Sequence, residues 1–225
     1  MDVADVVGAT RREVRVAERD GRPARQLVAT RSYPTGAADL WEALTSPTRI
    51  PRWFLPISGD LRVGGRYQLT GNAHGEVQEC DPPRRFAITW GMGDETSWVV
   101  VSLTPEGSDR TVLELEHTAV VPEEFWTLYG PGAVGIGWDL ALLGLARHQP
   151  GEERLSHENL DVWMASPKGL EFVASSNDAW AQANIASGAE ATEALAGAEQ
   201  TLAFYTAPAP APPAAEADTS ASADR

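Results

Sequence analysis

His117 is the side chain in this sequence most able to do acid–base work. It lies in the run 111–119, where Leu113, Leu115 and His117 alternate with Glu114 and Glu116, so a strand here carries the imidazole inward with the leucines. The neutral and charged forms of imidazole are close in energy near pH 7. An inward His117 can therefore be a pocket acid or base, or a polar anchor for a ligand. It can equally be a buried histidine satisfied by a backbone carbonyl, because no Ser or Cys nucleophile stands in a motif around it. Tyr67 and Arg66 are the other candidate anchors. His74 and Glu76 share one strand face, but a metal needs a third ligand, and His148 and His157 follow no metal spacing. No metal and no cofactor are expected, and no catalytic residue is assigned. Asp139 follows Trp138 but falls off its helical face, which predicts a solvated carboxylate. Gly130, Gly132, Gly135 and Gly137 are not followed by Lys-Ser/Thr, so they make no phosphate loop; a nucleophile elbow and a dinucleotide fingerprint are also absent.

The aromatic residues suggest binding more than catalysis. Eight Trp accompany four Tyr and five Phe, and side chains this large need a thick core or a cavity to pack around. Trp53, Phe54, Tyr67, Trp90, Tyr129 and Trp138, with His117, are the candidate pocket residues. They could line a cavity, or they could fill it, since a small sheet-enclosed interior can be closed by its own side chains. Trp98 points to the opposite sheet face and calls for a cover, from the C-terminal helices or from a second copy of the chain.

The elements that position these residues follow from periodicity. Residues 11–19 and 25–32 form a hairpin around Asp20-Gly21. Thr35 is placed to cap a short helix that holds Leu40, Trp41 and Leu44 on one face. Ser46-Pro47 starts another helical turn, which ends near Trp53-Phe54. A strand is expected from residue 60 to 69, with Leu61, Val63, Gly65, Tyr67 and Leu69 on one face and a bulge at Gly64-Gly65. Strands about 74–80, 86–90, 95–103 and 111–119 continue an antiparallel meander, residues 122–129 make a connecting turn, and a helix follows with Trp138, Leu142 and Leu145 in line. A sheet wrapped around that helix satisfies the order. Beyond Pro150-Gly151, polar helical segments carry thin apolar stripes, one of them Leu195, Leu202 and Tyr205. Residues 1–9 are expected to be frayed, and the Ala/Pro-rich acidic stretch 207–225 disordered.

Charge narrows the partners. Residues 1–150 carry 15 basic and 20 acidic groups and residues 151–225 carry 3 and 12, giving the net charge of −14. Such a chain repels phosphate backbones and anionic membrane surfaces, so neither nucleic acid nor membrane is an expected partner; a homodimer is compatible. A single cysteine, Cys80, rules out an internal disulfide and fits a cytoplasmic setting. No signal peptide is recognisable at the N-terminus, and no apolar run reaches the ~18 residues of a membrane span.

Residues 29–46, with Pro47, Trp53-Phe54, Gly59-Asp60 through Tyr67, Gly75-Glu76-Val77, Asp81-Pro82-Pro83, Ile88-Thr89-Trp90, the 111–118 strand and Gly137-Trp138, resemble a START-like (SRPBCC) domain, in the branch homologous to activators of the heat-shock-90 ATPase. The resemblance covers about residues 10–150. It implies an α+β helix-grip fold: a curved antiparallel sheet around a long C-terminal helix, two short helices at the rim, and a cavity between sheet and helix for a small hydrophobic molecule. The extension, residues 151–206, lies outside it. The superfamily spans ligand carriers, cyclases, dehydratases and co-chaperone-like modules. Ligand binding, a pocket enzyme of cyclase or hydro-lyase type, and a chaperone ATPase-activating module are thus three readings of one fold.

Overall fold

The computed structural model describes residues 3–93, 95–148 and 157–207. The chain opens with a helix, α1 (Val3–Gly8), followed by the hairpin β1 (Thr10–Arg19) and β2 (Arg22–Tyr33), the rim helix α2 (Ala37–Thr45), and a 3-10 turn at Ile50–Arg52. Six more strands follow: β3 (Ile57–Gly59), β4 (Arg66–Leu69), β5 (His74–Asp81), β6 (Arg85–Met92), β7 (Glu95–Pro105) and β8 (Thr111–Ala119). The helices α3 (Glu123–Tyr129), α4 (Gly132–His148), α5 (His157–Met164), α6 (Pro167–Ala186) and α7 (Ala191–Thr206) complete it. The strands form one sheet in the order β1-β2-β8-β7-β6-β5-β4-β3, antiparallel at every junction. This is the expected α+β helix-grip, with α4 as the gripped helix.

Alternation decides which strand faces are buried. Val99, Val101 and Leu103 on β7 and Leu113 and Leu115 on β8 point into the core, where Trp138, Leu142 and Leu145 of α4 meet them. Tyr33 fixes the helix height by donating from its hydroxyl to the Leu142 carbonyl at 3.1 Å; burial pushes that phenol's pKa up.

Several expectations are corrected. Residues 3–8 are helical, with Val3, Val6 and Val7 buried, because Arg12 donates to the Val7 carbonyl and Arg31 to the Val6 carbonyl, satisfying C-terminal groups that a short helix leaves open. Of the expected strand 60–69 only Arg66–Leu69 (β4) is strand; residues 60–65 form the connection from β3, in which Gly64 has φ +79° and Val63 is exposed. Here glycine chemistry overrides alternation: a Cβ on Gly65 would strike the Asp60 carbonyl. Thr35 does not cap α2; its hydroxyl donates to the Asp39 carboxylate at 2.9 Å. Residues 123–129 form a helix, not a turn, and α4 begins at Gly132, six residues before Trp138. On α7 the buried stripe is Ala194, Gly197, Ala198 and Thr201, while Leu195 is exposed. Trp98 is covered by Arg19, whose guanidinium lies 4.3 Å from the ring centroid; the extension docks elsewhere. The expected tail lies, beyond Ala207, outside the described residues.

Candidate functional site

Helix α4 is enclosed on three sides, and each side is a stripe of i, i+3/i+4 spacing. Trp138, Leu142 and Leu145 face the sheet. Gly132, Gly135, Asp139 and Leu143 face the extension: a Cβ on Gly132 would meet Asn177 and one on Gly135 the Trp180 ring, while Leu143 packs with Phe172. The third stripe, Gly137, Ala141, Gly144 and His148, faces the rim and lines a cavity of about 270 Å³.

The interior of the grip is closed by a hydrogen-bonded chain. The Trp138 indole N–H donates to His117 Nδ1 at 3.0 Å. That assigns the ring proton to Nε2, which donates to Ser97 Oγ at 2.7 Å, and the Ser97 hydroxyl donates to the Trp90 carbonyl at 2.9 Å. Trp90 and Trp138 pack with ring centroids 4.9 Å apart. Burial lowers the His117 pKa from 6.5 to about 4. The geometry acts in the same direction, because a proton on Nδ1 would oppose the indole N–H donor to donor. His117 is therefore a neutral, doubly bonded core residue, held by the side chains of Ser97 and Trp138 and not by the backbone carbonyl its sequence context suggested.

That arrangement makes stability pH-dependent. The folded pKa lies below the unfolded one, so the contribution is complete above pH 6.5 and is lost as pH falls toward 4. The shift corresponds to roughly 3 kcal/mol. His117→Gln keeps an acceptor for Trp138 and a donor for Ser97 without a titrating ring. Chemical denaturation across this pH range is expected to show the wild type weakening more steeply than the variant on acidification; parallel profiles would contradict the assignment.

The seven candidate pocket residues do not converge. Trp53 and Phe54 line the rim cavity, stacked with centroids 5.4 Å apart; the Trp53 indole donates to the Ala43 carbonyl at 2.9 Å. Trp90, His117 and Trp138 form the filled interior. Tyr67 is buried and donates to the Thr89 carbonyl at 2.7 Å, beside a separate, polar groove that includes Arg66, His74 and Glu76. Tyr129 sits on α3 between Phe125 and Phe204, at 5.0 and 6.3 Å. The rim cavity also takes Arg52, Leu55, Asn72, Leu140 and His148, none of them among the pocket candidates read from the sequence. The spacing of the small residues Gly137, Ala141 and Gly144 was the available signal: one helical stripe that cannot fill its own side.

Asp139 is the clearest correction. It is buried, not solvated. Arg12 Nε donates to its Oδ2 at 2.9 Å, the Trp180 indole donates at 3.1 Å, and the Ser176 hydroxyl makes a short bond to the same oxygen. Burial raises its pKa, while Arg12 and the two neutral donors oppose that rise. The helical period did point Asp139 away from the sheet. Water was not on that side; the extension was.

Fold and site together define the class. The family model described as activator of Hsp90 ATPase homolog 1-like protein matches residues 34–148, about half of the chain, and the chain belongs to that family. It is similar to CalU16 from Micromonospora echinospora, at 33% identity: the crystal structure of CalU16 aligns with TM-score 0.64 over 78% of this chain and 98% of CalU16, and its solution structure with 0.66 over 80% and 97%. Residues 1–148 make up about two thirds of the sequence, so the likeness to CalU16 reaches into the C-terminal extension. A conserved protein of unknown function from Enterococcus faecalis shares the fold at TM-score 0.54 and 16% identity, over 79% of this chain and 91% of that one. No curated protein matches the chain. No single described helix is long and apolar enough to cross a membrane.

Proposed function

We propose that this protein binds a small hydrophobic molecule at the rim of the grip, not inside it. The observation that carries the reading is the cavity of about 270 Å³ between the Trp53-Phe54 segment and the third stripe of α4. Its volume is near the lower end of ligand pockets, roughly 300–1,000 Å³, and its composition is of the same kind: apolar walls with a few polar groups. The stripe leaves room because Gly137, Ala141 and Gly144 project almost nothing. The Trp53 carbonyl rests against Gly144, where a Cβ would collide with it, so the rim segment is held across the helix at this one point. His117, the candidate acid–base group, and Tyr67, a candidate anchor, already donate to protein acceptors, which supports binding over turnover. The exposed, unpaired Cys80 suits a reducing cytoplasm.

Gly137 supplies the test. A Cβ there meets nothing within 4 Å, so Gly137→Leu starts without a clash at Cβ and is expected to place its side chain in the cavity. Replacing a helix-interior glycine also favours the helix by about 0.5–1 kcal/mol. The variant is expected to melt at the same temperature as wild type or higher, yet to bind the neutral dye N-phenyl-1-naphthylamine about tenfold more weakly or worse, an effect of ~1.4 kcal/mol. Undiminished dye binding in a well-folded Gly137→Leu protein would refute the rim site.

A further inference from the structure

One buried polar group on α6 has no use inside the protein. Its neighbours do: Ser176 and the Trp180 indole donate to Asp139, and Asn177 donates to the Ala198 carbonyl at 2.8 Å. Asn184 lies one heptad after Asn177 on the same stripe and retains only 6% of its surface, yet its carboxamide makes no hydrogen bond among the described residues. Its main chain is fully engaged. The Asn184 carbonyl accepts from the Ser187 N–H at 3.1 Å, the Ala189 N–H at 3.2 Å and the Ser187 hydroxyl at 2.7 Å. A buried amide without a partner bears its desolvation penalty uncompensated.

The carboxamide faces a groove of about 390 Å³ between the β1–β2 hairpin, α3 and the turn from α6 to α7. Its nitrogen lies 4.0 Å from the point where a Cβ of Gly130 would stand, so glycine at that position, with φ +62°, leaves the approach open. Glu190 and Glu193 line the same groove, and neither is ion-paired among the described residues. Glu190 is the N-cap of α7, but its side chain accepts no helix N–H. The dipole of α7 accounts for acidic residues near its start; it does not account for Asn184, which belongs to another helix. Arg25 also lines the groove and is already occupied. Its Nη2 donates to both Glu123 oxygens, at 3.1 and 3.2 Å, and its guanidinium lies 5.0 Å from the Trp126 ring centroid. Val16, two residues beyond the buried Val14 on the same strand face, is 77% exposed at the groove. The groove lies beside the N-terminal ends of α4 and α7, roughly 24 Å of helix from the ends at which residues 149 and 208 leave.

We propose that this groove binds a small organic cation, an alkylammonium, whose N–H donors meet the Asn184 carboxamide oxygen and the carboxylates of Glu190 and Glu193 while its carbon chain lies toward Val16 and Trp126. An ammonium group has three donors and no acceptor, which matches acceptors that nothing in the protein uses. Charge-assisted hydrogen bonds of this kind are the strong ones. The site shares no residue with the rim cavity and stands independently of it.

Calorimetric titration of the full chain with hexylamine, 1-hexanol and hexanoate at neutral pH tests the site, because the three probes share a tail and differ in head-group charge. Hexylammonium is expected to bind about tenfold more tightly than hexanol, and hexanoate more weakly than either. Asn184→Leu separates a binding amide from a structural one. It is expected to melt at the wild-type temperature or higher, since the unpartnered amide is gone, and to bind hexylammonium about tenfold more weakly. Glu190→Gln combined with Glu193→Gln changes two exposed side chains and is expected to bring the hexylammonium-to-hexanol affinity ratio to about one; this double variant decides alone if Asn184→Leu does not fold. Gly137→Leu, which alters the rim cavity, is expected to leave hexylammonium binding unchanged. Equal affinities for hexylammonium and hexanol, a ratio that the double variant does not move, or wild-type affinity in a folded Asn184→Leu would overturn the proposal. So would a loss of hexylammonium binding in Gly137→Leu, which would put the cation at the rim.

Discussion

A chain ended at His148 is expected to be insoluble or unfolded. The extension is often the first part removed when a compact domain is sought from a family match, and the match here ends at that residue. The structure argues against the cut. Trp180 and Val173 have no exposed surface and Phe172 retains 1%, and all three bury themselves against α4, α1 and β1. Fully burying a side chain of this size is worth about 1.5–3 kcal/mol each, against a total stability of roughly 5–15 kcal/mol for a domain. The cut also uncovers Leu143 and strips two of the three donors from Asp139. Size-exclusion chromatography and circular dichroism of the truncated chain test this. A soluble monomer with the wild-type denaturation midpoint would show that the extension is an accessory. Trp180→Ala asks the same question within the full chain: it is expected to cost about 3–5 kcal/mol, as large-to-small changes in cores do, and a loss below ~1 kcal/mol would contradict the docking described here.

The extension also shows where sequence reading stops. Alternation placed the β7 and β8 faces correctly, and helical spacing placed Trp138, Leu142 and Leu145, because each pattern has one buried side and the period names it. Helix α4 buries two sides and turns a third toward a cavity, and a period cannot say what lies beyond the first. For that reason the period predicts a solvated Asp139, and it gives no sign that Gly137, Ala141 and Gly144 border a cavity. Small residues on α6 and α7 compound the difficulty. Ser176, Asn177, Ala198 and Thr201 are buried yet add almost nothing to an apolar pattern. Their contacts are hydrogen bonds such as Asn177 to the Ala198 carbonyl at 2.8 Å and Thr201 to the Tyr129 carbonyl at 2.6 Å. Of the candidate pocket, Trp53 and Phe54 were legible because a pair of large aromatics between prolines has few other uses. Tyr129 was misplaced because its partners, Phe125 and Phe204, are joined only by the docking of α7 on α3.

Replacing Arg12 with methionine is expected to cost about 3–5 kcal/mol at neutral pH, the usual penalty for leaving a buried charge without its partner. Arg12 joins three elements at once: its Nε binds Asp139 on α4 at 2.9 Å, and its Nη1 donates to the Val7 and Thr10 carbonyls at 3.0 and 2.7 Å. The backbone part of that loss does not titrate, so pH separates the two. Burial already holds the Asp139 pKa above its ordinary value, with Arg12 the largest opposing influence; without Arg12 the pKa rises further. A folded pKa above the unfolded one means the folded state keeps a proton that the unfolded state has lost. Stability conferred by that proton is present below the unfolded pKa and disappears as pH rises through the folded one. The deficit of Arg12→Met relative to wild type is therefore expected to be largest at neutral and alkaline pH and to narrow on acidification, as Asp139 becomes a neutral acid that still accepts from Ser176 and Trp180. A double variant, Arg12→Met with Asp139→Leu, removes the charge altogether. It is expected to be more stable at neutral pH than Arg12→Met alone, since an apolar pair in such a site is often as good as the ion pair it replaces. Urea denaturation of the wild type and both variants at acidic and neutral pH measures all of this. A deficit independent of pH, with no recovery in the double variant, would mean that Arg12 acts through the α1 carbonyls and that Asp139 does not hold the extension by its charge.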